Sequence, residues 1–542
     1  MENDNNFTEQ NNMNQSNDGG SKTSNFKKNK LIIIAGIVVL LFALIGGGAY
    51  AIINSNPKVK VFNALKATSE ELKNKETLTD KIAGKDYLKK LQEKGINQNM
   101  KFTVNSTNMP QLATLKGMGI SLDSSMDQKN KKLMFNIGGE YKGTSIVKAQ
   151  FYTDNKKLML NVPELYNSWF TCDAENIQTQ YNNSVFAQQQ KLPNQEITFQ
   201  AFGKDGDVIL DEQFFKDVMA SYLSANGDKL ATIGKNIKVE KSKEAKEIEI
   251  GGAKENCTGY DVVISGQDAK TFIESIYDYI LQDEKIKKVI TQQVRYSYMQ
   301  QNKKYASPEA MVDDMFSEMK KVRDQFDSQV TFDDVNTKIY IDKKGRAVSI
   351  EANTAMTDNT GKKVEVKYTN GFTGKDNIGD IMNMSMELGN NGDKVKIDLN
   401  NTSAVKDDTM SEEMKLVLAS NKDKFNFNLK SNYNLKSGSF DGAADINADG
   451  QGVTLNYNGN GKFDKSSSKL DLDFDKLDMN MNINRQKVNI SLGGSYSMAP
   501  IDKPIEEPTG EKLEMFKLSQ DKLVTIINEI QNNAMKIAGS LR

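Results

Sequence analysis

A few clusters of side chains in this 542-residue chain have types and spacing that chemistry could use. Asp445-Ile446-Asn447-Ala448-Asp449-Gly450 places oxygens at alternate positions and a glycine at the bend, as the opening of a calcium loop does. The pattern breaks at the twelfth position, where Asn456 stands in place of a bidentate acid, and the flanks read as strands. An Asp-Gly hairpin turn explains the same residues. Asp471, Asp473 and Asp475 share one face of a strand, with Asp478 beyond. They could gather cations, but the solvated face of an amphipathic strand accounts for them better. Asp313-Asp314 and Asp333-Asp334 are adjacent acids without a defined partner, so nothing marks either pair as an acid–base couple. Cys172 and Cys257 are the two thiols of the chain. A disulfide between them would close a loop of 85 residues. It would stabilise by about 4–5 kcal/mol in the chain-entropy account, outside a reducing compartment. Two separate buried thiols are the alternative; the bond is favoured, because a leftover exposed thiol outside the cell is a liability.

What is missing narrows the chemistry further. The chain has no histidine, which removes the commonest general base, metal ligand and physiological pH switch together. Two cysteines are too few for a cysteine-rich zinc site. Neither a phosphate-binding glycine loop nor a serine-nucleophile elbow is found. Seventy-one Lys plus Arg stand against 72 Asp plus Glu, so no net field draws nucleic acid. The expectation is a protein that is not an enzyme and carries no metal or cofactor.

The elements that must position any site begin with Leu31 to Ile53, LIIIAGIVVLLFALIGGGAYAII. This stretch holds 23 residues without a charge, and about 20 helical residues cross a bilayer. Lys27, Lys28 and Lys30 precede it, which keeps the N-terminus in the cytoplasm. A cleaved signal peptide ending near Ala49-Tyr50-Ala51 is the rival reading, disfavoured by the long polar region before the apolar stretch. Residues 1–30 are rich in Asn, Gln and Ser and cannot bury enough surface to order. The mean hydropathy of −0.58 leaves little else for lipid.

Residues 54–330 read as a mixed lobe. A helix is expected from Val59 to about Leu91, strands over Lys101–Asn105, Lys132–Ile137 and Ser145–Phe151, and a helix capped by Asp211. A strand at Val262–Ile264 precedes one long helix over 268–298, and Ser307-Pro308-Glu309 opens another carrying Met311, Met315, Met319 and Val322. This methionine stripe reads as core. Residues 331–500 alternate apolar and polar through segment after segment: Val364, Val366 and Tyr368; Met382, Met384 and Met386; Phe425, Phe427 and Leu429; Val488, Ile490 and Leu492. Period two with turn residues between runs predicts an antiparallel meander of about ten to twelve strands. Three prolines make 500–508 an extended linker, and Ser519 caps an amphipathic helix with Leu523, Ile526, Ile527 and Ile530 on its stripe. The expected class is therefore α+β: a tail at 1–30, a transmembrane helix at 31–53, a mixed lobe at 54–330, a sheet lobe at 331–500, and linker plus helix at 501–542. The sheet is expected to be large, mainly antiparallel, curved like a half-barrel and covered by long helices.

The lysine-flanked anchor, Val162-Pro163-Glu164-Leu165-Tyr166, Glu255-Asn256-Cys257-Thr258-Gly259-Tyr260 and the run from Ile339-Tyr340-Ile341-Asp342 to Gly345-Arg346-Ala347-Val348 carry a resemblance. With the closing helix, the chain resembles a family of uncharacterised membrane-anchored extracytoplasmic proteins of low-GC Gram-positive bacteria. That family brings no assigned activity or functional residues. The strand pattern at 331–370 is also similar to the lipoprotein-carrier fold, an incomplete barrel clasped by helices. The resulting expectation is a single-pass cell-membrane protein whose body lies outside. It would be a non-enzymatic binding module for a lipid, lipoprotein or peptide in an apolar groove. A structural or sensory ectodomain that binds a partner protein is the alternative, and a carboxylate hydrolase ranks third.

Overall fold

The computed structural model describes residues 56–540, except 189, 193–201, 203–207, 209–211, 299–304, 306, 390–391, 393, 422, 449–450 and 484–485. The expected tail, the span at 31–53 and the cap Asp211 lie outside the described residues. No described helix is long and apolar enough to cross a membrane.

Three helices, α1 (Asn56–Lys73), α2 (Leu78–Ala83) and α3 (Tyr87–Lys94), come first. Strands β1 (Ile96–Thr107), β2 (Met118–Asp127), β3 (Lys132–Tyr141), β4 (Thr144–Thr153), β5 (Lys157–Val162) and β6 (Tyr166–Asp173) follow. The short α4 (Ile177–Asn182) and long α5 (Glu212–Asn236) lead to the hairpin β7 (Lys238–Ile250) and β8 (Ala253–Ile264). Helices α6 (Gly266–Gln282), α7 (Glu284–Tyr298) and α8 (Pro308–Gln329) precede a second run of strands. That run is β9 (Val330–Phe332), β10 (Val335–Ile341), β11 (Ala347–Asp358), β12 (Lys363–Phe372), β13 (Ile381–Gly389), β14 (Lys394–Lys406), β15 (Thr409–Ser420), β16 (Lys424–Asn434), β17 (Ser439–Ala448), β18 (Gln451–Asp464), β19 (Lys469–Ile483) and β20 (Gln486–Pro500). The chain ends in β21 (Lys512–Glu514) and α9 (Gln520–Ser540).

The class is α+β, and its centre is one large curved sheet. Pairing runs from β7 through β8 to β10 and then strand by strand to β20, antiparallel throughout. The sheet does not end at the boundary between residues 330 and 331. Val335 pairs with Ile264 on one side of the second run, and Ile96 pairs with Pro500 on the other. From β1 the ladder continues through β2, β3, β4 and β5 to β6, where β21 adds a parallel edge. The alternation read from 331–500 is realised, because along β14 to β20 apolar side chains line one face of the sheet and polar ones the other.

Two expected helices are broken, and capping chemistry breaks both. The segment 59–91 is three helices. Thr77 and Asp80 form a capping box at the start of α2, and Gly84 ends it at φ +86°. The long helix over 268–298 divides at Asp283. Its backbone N–H donates to Tyr279 O at 2.9 Å, while its carboxylate accepts from Ile286 N at 2.9 Å, so one residue ends α6 and caps α7. Ser307 caps α8, accepting from Ala310 N. The methionine stripe is divided: Met319 and Val322 pack on the main core, Met311 packs with Val312 and Phe316, and Met315 is exposed.

Helices cover the two ends of the sheet. Val61, Ala64 and Leu65 of α1, Ile273 and Tyr277 of α6 and Phe326 of α8 bury Ile339, Ile350, Val364, Val366, Tyr368 and Met386. A buried ion cluster pins α1 there. Arg346 Nη1 reaches both Glu71 oxygens at 2.9 Å and Nε reaches Asp342 Oδ2 at 2.8 Å; Glu71 also accepts from Ile378 N at 3.0 Å. At the far end α9 lies against β6, with Asn533 donating to Leu165 O at 3.0 Å.

Candidate functional site

Between the covered ends, one face of the sheet is apolar and open. Register places the side chains in rows. Met386, Ile397, Leu418, Phe425, Ala448 and Gln451 lie side by side across β13 to β18, and one step along runs Leu399, Leu416, Phe427, Ile446, Val453 and Met481. The rows continue as Leu477 beside Leu492, Leu492 beside Val104, Tyr496 beside Met100, Met100 beside Leu122 and Leu122 beside Ile137. Under the helices Val366 is 2% exposed, whereas Ile446 and Ile120 on the open stretch are 45% and 53% exposed. Leu416, Phe427, Leu455, Met479, Ile490 and Leu122 are half-buried. The opposite face carries Asn426, Asn428, Thr454, Asn480 and Ser491. Cover by long helices was expected. It exists at the ends; on the ten strands from β14 to β3 the short α3 packs near one rim, Tyr87 lying against Phe463 and donating to Met498 O, and Met410, Tyr433 and Phe440 on the same face are buried.

A crease crosses this open face. The register shifts at Asn458/Gly459 between β18 and β19, at Phe474/Leu477 between β19 and β20, and at Val104/Ser106 between β1 and β20. Bulges in adjacent strands bend a sheet and raise its twist. Glycines let the backbones close in: a Cβ at Gly459 would lie 1.9 Å from Asp473 O, and one at Gly494 would lie 2.0 Å from Lys101 O. Aromatic rings fill the space above them. Phe474 meets Phe102 at a tilt across Gly494, ring centres 5.8 Å apart, and Tyr433 donates to Gly461 O at 3.1 Å.

Under α9 the face ends in a cavity of about 380 Å³. Phe151, Leu160, Phe170, Cys172, Leu523 and Ile530 line it, among others. At one point a carboxyl intrudes on the open face. Glu412 lies between Ser403 and Ser431 in its row. Burial pushes its pKa up from the ordinary value, making it a weaker acid, with Lys75 pulling the other way.

The residues singled out for chemistry are not brought together. Asp313 pairs with Lys287 at 3.0 Å and Asp314 accepts from Tyr305. Asp333 pairs with Lys363 at 2.8 Å, and Asp334 accepts from Gly266 N at 2.9 Å. Asp471 and Asp478 pair with Lys469 and Lys476, each at 2.7 Å. Asp445 to Ala448 end β17 and Gln451 begins β18; Asp449 and Gly450 lie outside the described residues. No group of acids with the arrangement of a metal site occurs among the described residues.

The disulfide expected between Cys172 and Cys257 does not form; both are free thiols. Cys257 sits on β8 near one edge of the sheet, packed with Ile250, Tyr340 and Val348 on the polar-side face. Cys172 sits on β6 near the other edge, beside Leu158 on the apolar face. A bridge requires Cα atoms within about 7 Å, and two residues at opposite ends and on opposite faces of such a sheet cannot meet it. Burial raises both thiols, Cys257 to about 11.

Two further signals of this site lie in the sequence. Glycines on the apolar phase of a strand, such as Gly459 and Gly494, mark a bend. Lysines recur at hairpin tips along one rim: Lys116, Lys142, Lys424 and Lys487.

No family model matches the chain, and no curated protein matches it. Among solved structures, one match is Wzi, described as an outer membrane protein involved in group 1 capsule assembly in Escherichia coli and a carbohydrate binding beta-barrel. It is 7% identical over 83% of this chain and 90% of that one, with a TM-score of 0.11, and a likeness of that size carries no argument about shape or activity.

Proposed function

We propose that this protein is a membrane-anchored, extracytoplasmic, non-enzymatic binding module that shelters acyl chains on its open sheet face. The single observation behind this reading is the run of apolar rows from β14 to β3 that the long helices leave open. Soluble monomers rarely expose contiguous apolar patches beyond a few hundred Å². Nine strand spacings of about 4.8 Å make this one roughly 43 Å wide. The uncharged stretch Leu31 to Ile53 supports the anchor, and the lysines before it support a cytoplasmic N-terminus.

The test is lipid extraction and mass spectrometry on the full chain purified in mild detergent, alongside Phe427→Asp and Ile446→Asp. Both positions lie on the open face, so a charge there removes bound lipid at little cost in stability. Wild-type protein that carries no lipid rejects the reading. A second reading, docking of a partner protein, draws on Phe215 and Met219, which are 61% and 55% exposed one turn apart on α5. A crosslinked partner lost on Phe215→Ser would favour it.

A further inference from the structure

We infer that the open face holds several phospholipid molecules at once, with anionic headgroups along one rim; this rests on the acyl-chain reading above. Size makes the first half of the case. One acyl chain spans about half of a 30 Å hydrocarbon core, roughly 15 Å. The open face extends about 43 Å across its strands. Strands β18, β19 and β20 are 14, 15 and 15 residues long. The short α3 lies on this stretch near the opposite rim, with Tyr87 against Phe463 and its hydroxyl on Met498 O, and no long helix crosses it among the described residues. A single lipid would leave most of the rows between Leu399 and Leu122 in water, so the apolar surface is satisfied only by more than one.

Charge makes the second half. The hairpins β15–β16, β19–β20, β1–β2 and β3–β4 all turn on the same rim, because successive strands alternate in direction. Lys424, Lys487, Lys116 and Lys142 sit exposed at or beside those turns. The described carboxylates at or beside those turns and the next one are Asp423, Glu140 and Glu164; Glu140 already pairs with Lys101 at 2.7 Å and Glu164 accepts from Lys148 N. The chain as a whole has a formal charge of −1, so this rim is locally basic on a nearly neutral protein. Lysine ammonium groups spaced along the mouth of an apolar surface complement phosphates whose chains lie on that surface.

The experiment mixes full-length protein in maltoside detergent with phosphatidylglycerol or phosphatidylcholine. Gel filtration follows, and bound phosphorus is counted per chain. Two or more phosphatidylglycerol molecules per chain are expected, with fewer phosphatidylcholine. Replacing Lys116, Lys142, Lys424 and Lys487 together by Gln should remove that preference and leave phosphatidylcholine binding as it was. One lipid per chain at every concentration overturns the inference while leaving the acyl-chain reading in place. A preference untouched by the four substitutions overturns the headgroup assignment. No lipid at all, or an oligomer that covers the face without lipid, overturns both.

Discussion

Phe440 on β17 meets Phe474 on β19 edge to face, with ring centres 5.3 Å apart, across Gly459 of the strand between them. A Cβ at Gly459 would sit 1.9 Å from Asp473 O and 2.9 Å from the Phe440 ring. Gly459→Ala therefore forces the strands apart at the crease. The expected cost is about 1–3 kcal/mol, the range for overpacking, read as a lower urea midpoint at unchanged slope. An unaltered midpoint would show that the crease tolerates a side chain and that the close approach is not structural.

The Arg346 cluster is a second place where one change should be costly. The Asp342 side chain is fully buried, and Arg346 is its cation. Arg346→Met leaves a buried carboxylate uncompensated and releases Glu71 of α1, for an expected loss of about 3–5 kcal/mol. Asp342→Asn added to Arg346→Met should recover part of that loss in the same unfolding measurement. If the double variant is no better than the single one, the cost lies in packing and not in charge.

Glu412 predicts a pH dependence. Burial raises its folded-state pKa above the ordinary 4.5. The folded state then holds the proton more tightly than the unfolded one, and its contribution is present below about 4.5 and lost as pH rises through the folded value. Glu412→Gln should raise the melting temperature at pH 7.5 and leave it unchanged at pH 3.5. An equal gain at both values would assign the effect to something other than ionisation.

The thiols give a direct chemical check. Unfolded protein without reductant should titrate two thiols, and dithiothreitol should leave the unfolding midpoint of the folded protein where it was. Folded protein at pH 8 should react slowly at Cys257, which is fully buried and held up at about 11. A shift of the midpoint on reduction would mean a bond that the fold as described cannot make.

The sheet was legible because its strands are one-sided. Met382, Met384 and Met386, or Phe425, Phe427 and Leu429, alternate so regularly that period two needs no tertiary knowledge. The helix breaks at Thr77 and Asp283 were not read, because both hinge on one side chain closing on a neighbouring N–H inside an otherwise continuous apolar stripe. The open face could not be read at all from local pattern. A leucine beneath a helix and one facing the open side, such as Leu388 and Leu416, both sit in the apolar phase of an alternating strand. Which of them is covered depends on where α1 and α9 dock, hundreds of residues away. The acidic pairs misled for the opposite reason: each is answered by a nearby lysine, tyrosine or backbone N–H, and none faces another across a cleft.

β1 sits in the middle of the sheet although it comes early in the chain, and Tyr87 just before it donates to the Met498 carbonyl 411 residues further on. A ribosome must therefore make everything from β1 through β20 before β1 gains its second neighbour. Until then two sticky margins wait exposed, a state in which non-local sheets assemble slowly and aggregate readily. A premature stop just ahead of residue 486 would remove little mass yet leave the sheet in two unjoined sections, so late truncations should be as damaging as early ones.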